Sequence, residues 1–141
     1  MPKNTSELLN ELSNKNADIE DYINSNPESF INNDIKEFWE TIIDKSTLSK
    51  SSIINKADFS YCYFYDIIKG RKIPGRDKII RLILAMKANL DDCQDALRIS
   101  GKSALYPKIK RDSILIFALN NNLSIYDANE LLLKYGEEPI K

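Results

Sequence analysis

Residues 48–70 carry the pattern that most restricts the fold of this chain. The segment holds two runs of apolar residues spaced three and four positions apart, and each run follows a serine, Ser49 or Ser60, that suits a helix N-cap. Gly70 stands where a glycine commonly ends a helix in the left-handed conformation. The pattern therefore predicts two short helices that are joined by a tight turn at Asp58.

The second predicted helix has an inner and an outer face. Its inward residues are Phe64, Ile67 and Ile68, and its outward residues are Tyr61, Cys62, Tyr65, Asp66 and Lys69. The loop after Gly70 adds three cations: Arg71, Lys72 and Arg76. Cations beside an exposed helix suit contacts with a phosphate backbone, and such a helix pair is the arrangement that places one helix in a DNA groove.

The overall charge of −1 hides an uneven distribution along the chain. Residues 1–44 contain three cations and ten acids, residues 45–90 contain ten cations and three acids, and residues 91–141 contain seven cations and eight acids. The basic segment coincides with the predicted helix pair, as expected for nucleic-acid binding. For the acidic leader, two interpretations stay open: a solvated helical surface, or a segment that competes with phosphate or recruits a protein.

The same three-and-four spacing recurs along most of the chain, and no alternating strand pattern competes with it. We expect an all-α, compact multi-helix bundle, with further helices at about 5–13, 16–25, 34–44, 76–88 and 91–100 and with Asn16 and Asn33 as caps. Its segments are an acidic helical leader (1–33), a central domain (34–90) and a C-terminal helical extension (91–141). The last two can also pack as one domain.

An imperfect repeat begins at Arg76-Asp77 and again at Arg111-Asp112, and each copy reaches a glycine, Gly101 or Gly136, after 26 residues. The internal Asn89-Leu90 and Asn122-Leu123 are out of step by two positions. We expect two stacked helical hairpins, which either present a protein-binding surface or are buried in the common core. Salt bridges or helix-start charges are the expected roles of the four charged residues, and Arg76 has a phosphate contact as a second role.

Several function classes lack the residues that they require. The chain of 141 residues has no histidine, its two cysteines lack CxxC spacing, and its four glycines do not form a phosphate-binding loop. We therefore expect no enzyme activity, no metal site and no cofactor. Neither a membrane span nor a signal peptide is evident, so a cytoplasmic protein is expected.

The chain resembles the Cro and lambda-repressor type (XRE) helix-turn-helix regulators. The resemblance lies in Leu48, Ser49, Ile53, Phe59, Ser60, Phe64, Ile67 and Gly70. It extends to a bacterial subgroup with an acidic helical leader and a helical C-terminal extension, through Pro74 with Arg76-Asp77, Leu105-Tyr106-Pro107-Lys108, Arg111-Asp112 and Asn129-Glu130-Leu131-Leu132.

The resemblance implies a central helix-turn-helix and a set of DNA-contacting positions. With the outward Tyr65 and the loop cations included, the base-facing residues are Lys50, Tyr61, Cys62, Tyr65 and Asp66. The residues expected near phosphates are Ser49, Ser60, Lys69, Arg71, Lys72 and Arg76. Members of this family often have Arg, Gln, Ser or Thr at the outward positions, and this chain also has Ile54 and Asp58 in place of the usual small residue and turn glycine.

The expected function is that of a sequence-specific regulator of transcription that binds double-stranded DNA, as a homodimer on a near-palindromic site. The alternative is a protein-binding adaptor or inhibitor, antitoxin-like or of another kind, that keeps the fold with little or no DNA readout. The acidic leader and the C-terminal hairpin are both candidate surfaces for a protein partner or for dimerisation.

Overall fold

The computed structural model describes residues 3–27 and 34–141, and all regular structure within these ranges is helical. The described ranges contain nine helices: α1 (Thr5–Ser13), α2 (Ile19–Ser25), α3 (Ile35–Lys45), α4 (Lys50–Ala57), α5 (Tyr61–Ile68), α6 (Arg76–Ala85), α7 (Leu90–Ile99), α8 (Lys110–Asn120) and α9 (Ile125–Lys134). The prediction of an all-α protein is confirmed. The chain divides into two compact units, one in the leader and one from α3 to the C-terminus.

The leader unit consists of α1 and α2, which pack against each other. Asn4 caps α1 in a capping box with Glu7, in which each side chain accepts from the other residue's backbone amide. Asp18 caps α2 by accepting a hydrogen bond of 2.9 Å from the amide of Glu20. The predicted cap at Asn16 is therefore wrong, because the Asp18 carboxylate accepts the hydrogen bond from the first-turn amide of α2.

Helices α3 to α9 build one apolar core. In this unit α4 packs on α6, α3 packs on α5 and α7, and α8 packs on α7 and α9. The largest side chains without solvent exposure in this core are Trp39, Phe64, Ile53, Ile67, Ile79, Ile80, Leu82, Ile83, Leu97, Leu115 and Leu132. A boundary at residue 90 would separate the packed helices α6 and α7, so residues 34–141 are described as one unit.

The α3 helix begins one residue later than the spacing predicts. The predicted cap, Asn33, lies outside the described residues, and Asp34 caps the helix by accepting from the amide of Glu37 at 3.2 Å. Trp39, Ile42 and Ile43 are buried on its inner face. This face supplies the wall against which α5 packs.

The α4–α5 pair forms as the local sequence predicts. The hydroxyl oxygens of Ser49 and Ser60 each accept a hydrogen bond of 3.1 Å from a first-turn amide of α4 and α5, respectively. Asp58 ends α4 with a φ of 57°, a left-handed conformation that aspartate tolerates better than most residues. Gly70 closes α5 with a φ of 76°. The two short helices are thus separated by three residues, Asp58 to Ser60.

The hairpins α6–α7 and α8–α9 are related by a constant displacement of 35 residues. Arg76 corresponds to Arg111, Leu90 to Ile125, and Gly101 to Gly136. The positive φ angles recur at the same displacement, at Lys87 and Asn122 in the turns and at both glycines. The predicted match between Asn89 and Asn122 is therefore wrong, because Asn89 caps α7 as Ser124 caps α9, whereas Asn122 occupies the left-handed position of Lys87.

Two crossed ion pairs join the hairpins. Arg76 donates to both carboxylate oxygens of Asp112 at 2.9 and 2.8 Å, and Arg111 donates to both oxygens of Asp77 at 3.0 Å. Each guanidinium also donates to two carbonyls of the segment after its own hairpin: Ser103 and Ala104, or Glu138 and Pro139. Each of these ion pairs has its counterpart in the other hairpin, which is the property of a two-fold relation rather than of a solenoid. The predicted salt bridges are confirmed.

Candidate nucleic-acid interface

The outer face of α5 and Lys50 at the start of α4 form the surface that the sequence indicated for base contacts. We call this set (Lys50, Tyr61, Cys62, Tyr65, Asp66 and Lys69) the α5 face. Tyr61 has 66% of its surface exposed, and Cys62, Lys50 and Lys69 are also exposed. Tyr65 and Asp66 are half-buried, so the helix presents its first turn more openly than its last. Phe64, Ile67 and Ile68 are buried behind this face.

The tyrosines of α5 are ordered by contacts among themselves. The rings of Tyr61 and Tyr65 lie 4.5 Å apart, and the Nζ atom of Lys50 lies 5.8 Å from the centre of the Tyr65 ring. The pKa of Tyr61 is raised, first through its hydrogen bond with Tyr65. The α5 face therefore combines two aromatic rings in a tilted contact with one cation beside them.

Tyr63 lies on the other side of α5 and is half-buried. Its ring meets Phe59 edge-on at 5.0 Å, and the Nζ atom of Lys72 lies 5.9 Å from its centre. Burial raises the pKa of its hydroxyl. This packing fixes the turn before α5 and brings the loop after α5 close to the helix.

The cationic loop after α5 is partly neutralised by the helix itself. The Asp66 carboxylate lies 3.5 Å from Arg71 Nη1 and 3.6 Å from Lys72 Nζ. The backbone carbonyl of Asp66 also accepts from the amides of Arg71 and Lys72 at 2.8 and 3.1 Å. Both cations keep most of their side-chain surface exposed, 67% and 60%, so they remain accessible to a phosphate.

The two capping serines lie at the first turns of α4 and α5. Both are exposed, and each uses its oxygen as a hydrogen-bond acceptor for its helix. This role leaves the hydroxyl hydrogen for another acceptor, such as a phosphate oxygen.

Two carboxylates that the sequence reasoning missed lie beside the α5 face. Glu40 and Asp44 of α3 line a crevice of about 50 Å³ together with Lys50 and Lys69. They reach this position because α3 packs on α5, a contact between helices that the spacing within either helix does not reveal. Along with Asp66, they place negative charge next to the cations of the face.

Arg76 does not belong to this surface. Its guanidinium makes four hydrogen bonds within the chain, and only 25% of its side chain is exposed. Its bond to Asp112 is the largest reason that its pKa is raised. These bonds hold the two hairpins together and use four of the five N–H donors of the guanidinium, which leaves it little capacity for the predicted phosphate contact.

The remaining groups offer little reactive chemistry. Cys62 is exposed, whereas Cys93 is buried and burial raises the pKa of its thiol to about 12. Within residues 3–27 and 34–141 there is no group of three or more His, Cys, Asp or Glu residues that could hold a metal ion. No helix in the described part of the chain is both long enough and apolar enough to cross a membrane.

No family model, curated protein or solved structure matches this chain.

Proposed function

We propose that this chain is a sequence-specific regulator of transcription that binds double-stranded DNA, with α4 and α5 acting as a helix-turn-helix. In this proposal α5 enters the major groove and α4 lies across the backbone, which is how such a pair docks on DNA. The observation that carries the proposal is an exposed α5 face with cations beside it. Lys50 and Lys69 line one crevice next to the face, and Arg71 and Lys72 lie in the loop after α5.

The charge distribution supports the same assignment. The segment 45–90 holds ten cations and three acids, and α4, α5 and the loop after them all lie within it. Clustered cations on one element attract duplex DNA and release bound counterions on contact. In this arrangement Ser49, Ser60, Lys69, Arg71 and Lys72 contact phosphates.

The side chains at the centre of the α5 face would read bases. Tyr61 is the most exposed of them and can contact a thymine methyl group, while Asp66 can accept from the amino group of cytosine. Lys50, Cys62 and Tyr65 complete this central group. Two tyrosines that already contact each other lose little conformational entropy on binding, which suits a rigid reading surface.

Replacing Arg71 by alanine tests the phosphate assignment. We expect affinity for all duplexes to fall by a similar factor and the dependence of log K on log salt to become shallower by about one, because one phosphate contact is lost. Fluorescence anisotropy with duplexes of several sequences at 50 to 200 mM salt, roughly the range over which the effect is large, measures both quantities.

The matched control is Lys108→Ala, which removes an exposed cation from the segment before α8. It should leave both affinity and slope unchanged. Equal effects of the two substitutions would contradict the assignment to the loop after α5, and an absence of duplex binding by the unmodified chain at low salt would reject the proposal.

A second candidate function, a protein-binding adaptor, is favoured by the carboxylates around the α5 face. Asp66, Glu40 and Asp44 repel phosphates but suit a basic protein surface. For such an adaptor we expect a shallow salt dependence with duplex DNA and a stable complex with one protein. The anisotropy series above separates the two functions.

A further inference from the structure

The outer surface of the α8–α9 hairpin carries an apolar groove of about 300 Å³. We call it the C-terminal groove; its lining residues are Ser113, Ile114, Phe117, Leu131 and Tyr135. Phe117 is 54% exposed and Tyr135 is 49% exposed. Both aromatic side chains line the same groove and expose about half of their surface.

In the first hairpin, α6–α7, the face that corresponds to the C-terminal groove is buried. The positions that correspond to the groove at the 35-residue displacement are Lys78, Ile79, Leu82, Ala96 and Ser100. Ile79, Leu82 and Ala96 have no solvent exposure, because α4 packs on α6 and α3 packs on α7. In the first hairpin this face is therefore covered by two helices. Within residues 34–141, no pair of helices covers the corresponding face of α8–α9.

The charges around the C-terminal groove differ between its two ends. At the end where α8 begins and α9 ends, Lys110 Nζ donates to the Tyr135 carbonyl at 2.6 Å and Lys134 Nζ lies 5.6 Å from the Tyr135 ring. Toward the other end, Asp127 lies in the first turn of α9, one helical turn before Leu131. This carboxylate makes no ion pair within the described part of the chain.

We propose that the C-terminal groove is an interface between two copies of this chain, in which the α8–α9 hairpins of both copies pack face to face. A two-fold axis through the groove sets the Lys110 and Lys134 end of one copy against the Asp127 end of the other, so the surface is complementary to itself. Phe117 of each copy then lies near the centre and fills the space of the opposite groove. The interface goes beyond DNA binding and does not depend on it.

Sedimentation equilibrium without DNA tests this interface. We expect the unmodified chain to sediment at twice its 16.2 kDa mass and Phe117→Glu to sediment as a monomer. Since Phe117 is exposed in the single chain, this change should leave the helical content unaltered. The matched control is Leu133→Glu on the same helical hairpin, at an exposed position that faces away from the groove and that should stay dimeric.

A charge exchange tests the orientation of the two copies. Asp127→Lys should weaken self-association by about tenfold, and adding Lys110→Glu should restore it, because the two positions meet across the axis. Failure of the second change to restore the dimer would overturn the two-fold arrangement.

Three results would overturn the interface itself. They are a 16.2 kDa species of the unmodified chain at every concentration, a Phe117→Glu variant that remains dimeric, and equal loss of the dimer in Phe117→Glu and Leu133→Glu. A monomeric chain whose groove becomes protected only when another protein is added would assign the groove to that protein instead. Duplex affinity is measured separately, so failure of the DNA proposal leaves these outcomes unaffected.

Discussion

Asp66 is the residue at which the two candidate functions differ most. Its carboxylate lies near both Arg71 and Lys72, so it competes with any phosphate that approaches them. We expect Asp66→Asn to raise affinity for non-cognate duplex by about fivefold, since a unit charge at 4 Å in water is worth about 1 kcal/mol. Anisotropy at fixed salt measures the change.

The control for this prediction is Asp95→Asn, which removes the same charge from an exposed ion pair with Arg98 on α7. It should not alter duplex affinity. If the two substitutions raise affinity equally, the gain comes from net charge alone and the local role of Asp66 is wrong.

Asp112 and Asp77 occupy equivalent positions with different exposure, 3% and 28% of the side chain. Burial raises the pKa of both carboxyl groups, but for each the hydrogen bonds from an arginine and a backbone amide outweigh it and leave the pKa below its ordinary value. We expect Asp112→Asn to lower the free energy of unfolding by about 3 kcal/mol, as for breaking a buried pair, and Asp77→Asn to lower it by less. Urea unfolding at pH 7 measures both.

The pH dependence of the same two variants has a defined sign. A carboxylate with a lowered pKa in the folded state stabilises the fold above the ordinary aspartate value of about 3.9 and loses that contribution as the pH falls through the folded value. The difference between each variant and the unmodified chain should therefore shrink below about pH 4. A difference that persists in acid would show that packing, not charge, is responsible.

At the scale of the helix, most of the structure could be predicted from the sequence because local signals decide it. Ser49, Ser60 and Gly70 set the ends of α4 and α5 through hydrogen bonds within a few residues. The alignment of the two hairpins could not be predicted from residue identities alone, because asparagine is a helix cap at Asn89 and adopts the left-handed conformation at Asn122. Only backbone conformation separates these two roles.

In the candidate site, too, features set by local spacing could be predicted, whereas features set by contacts between distant elements could not. The exposure of Tyr61 and the burial of Phe64 follow from the helical period of α5. The approach of Glu40 to Lys50 and the capture of Arg76 by Asp112 depend on contacts between elements that are distant in sequence. Neither could be predicted from spacing, which carries no information on how separate helices pack.

At the scale of the whole molecule, the crossed pairs and the shared core make residues 34–141 one cooperative unit. We expect amide hydrogens of α4, α7 and α9 to become exposed at the same denaturant concentration, since all three helices pack on α6 and share its apolar core. Hydrogen exchange with increasing denaturant measures this. Earlier opening of α9 than of α4 would contradict it and would indicate a separable C-terminal domain.

The reciprocal Arg–Asp contacts between α6–α7 and α8–α9 bear on the evolutionary origin of the two hairpins. Tandem fusion of two identical ancestral peptides, each of which paired its arginine and its aspartate with those of the other copy, would give this arrangement. In such a pair α3 and α4 cover the first copy, whereas the matching face of the second is uncovered within residues 34–141 and has room for larger side chains. Phe117 and Tyr135 stand where the first copy has Leu82 and Ser100.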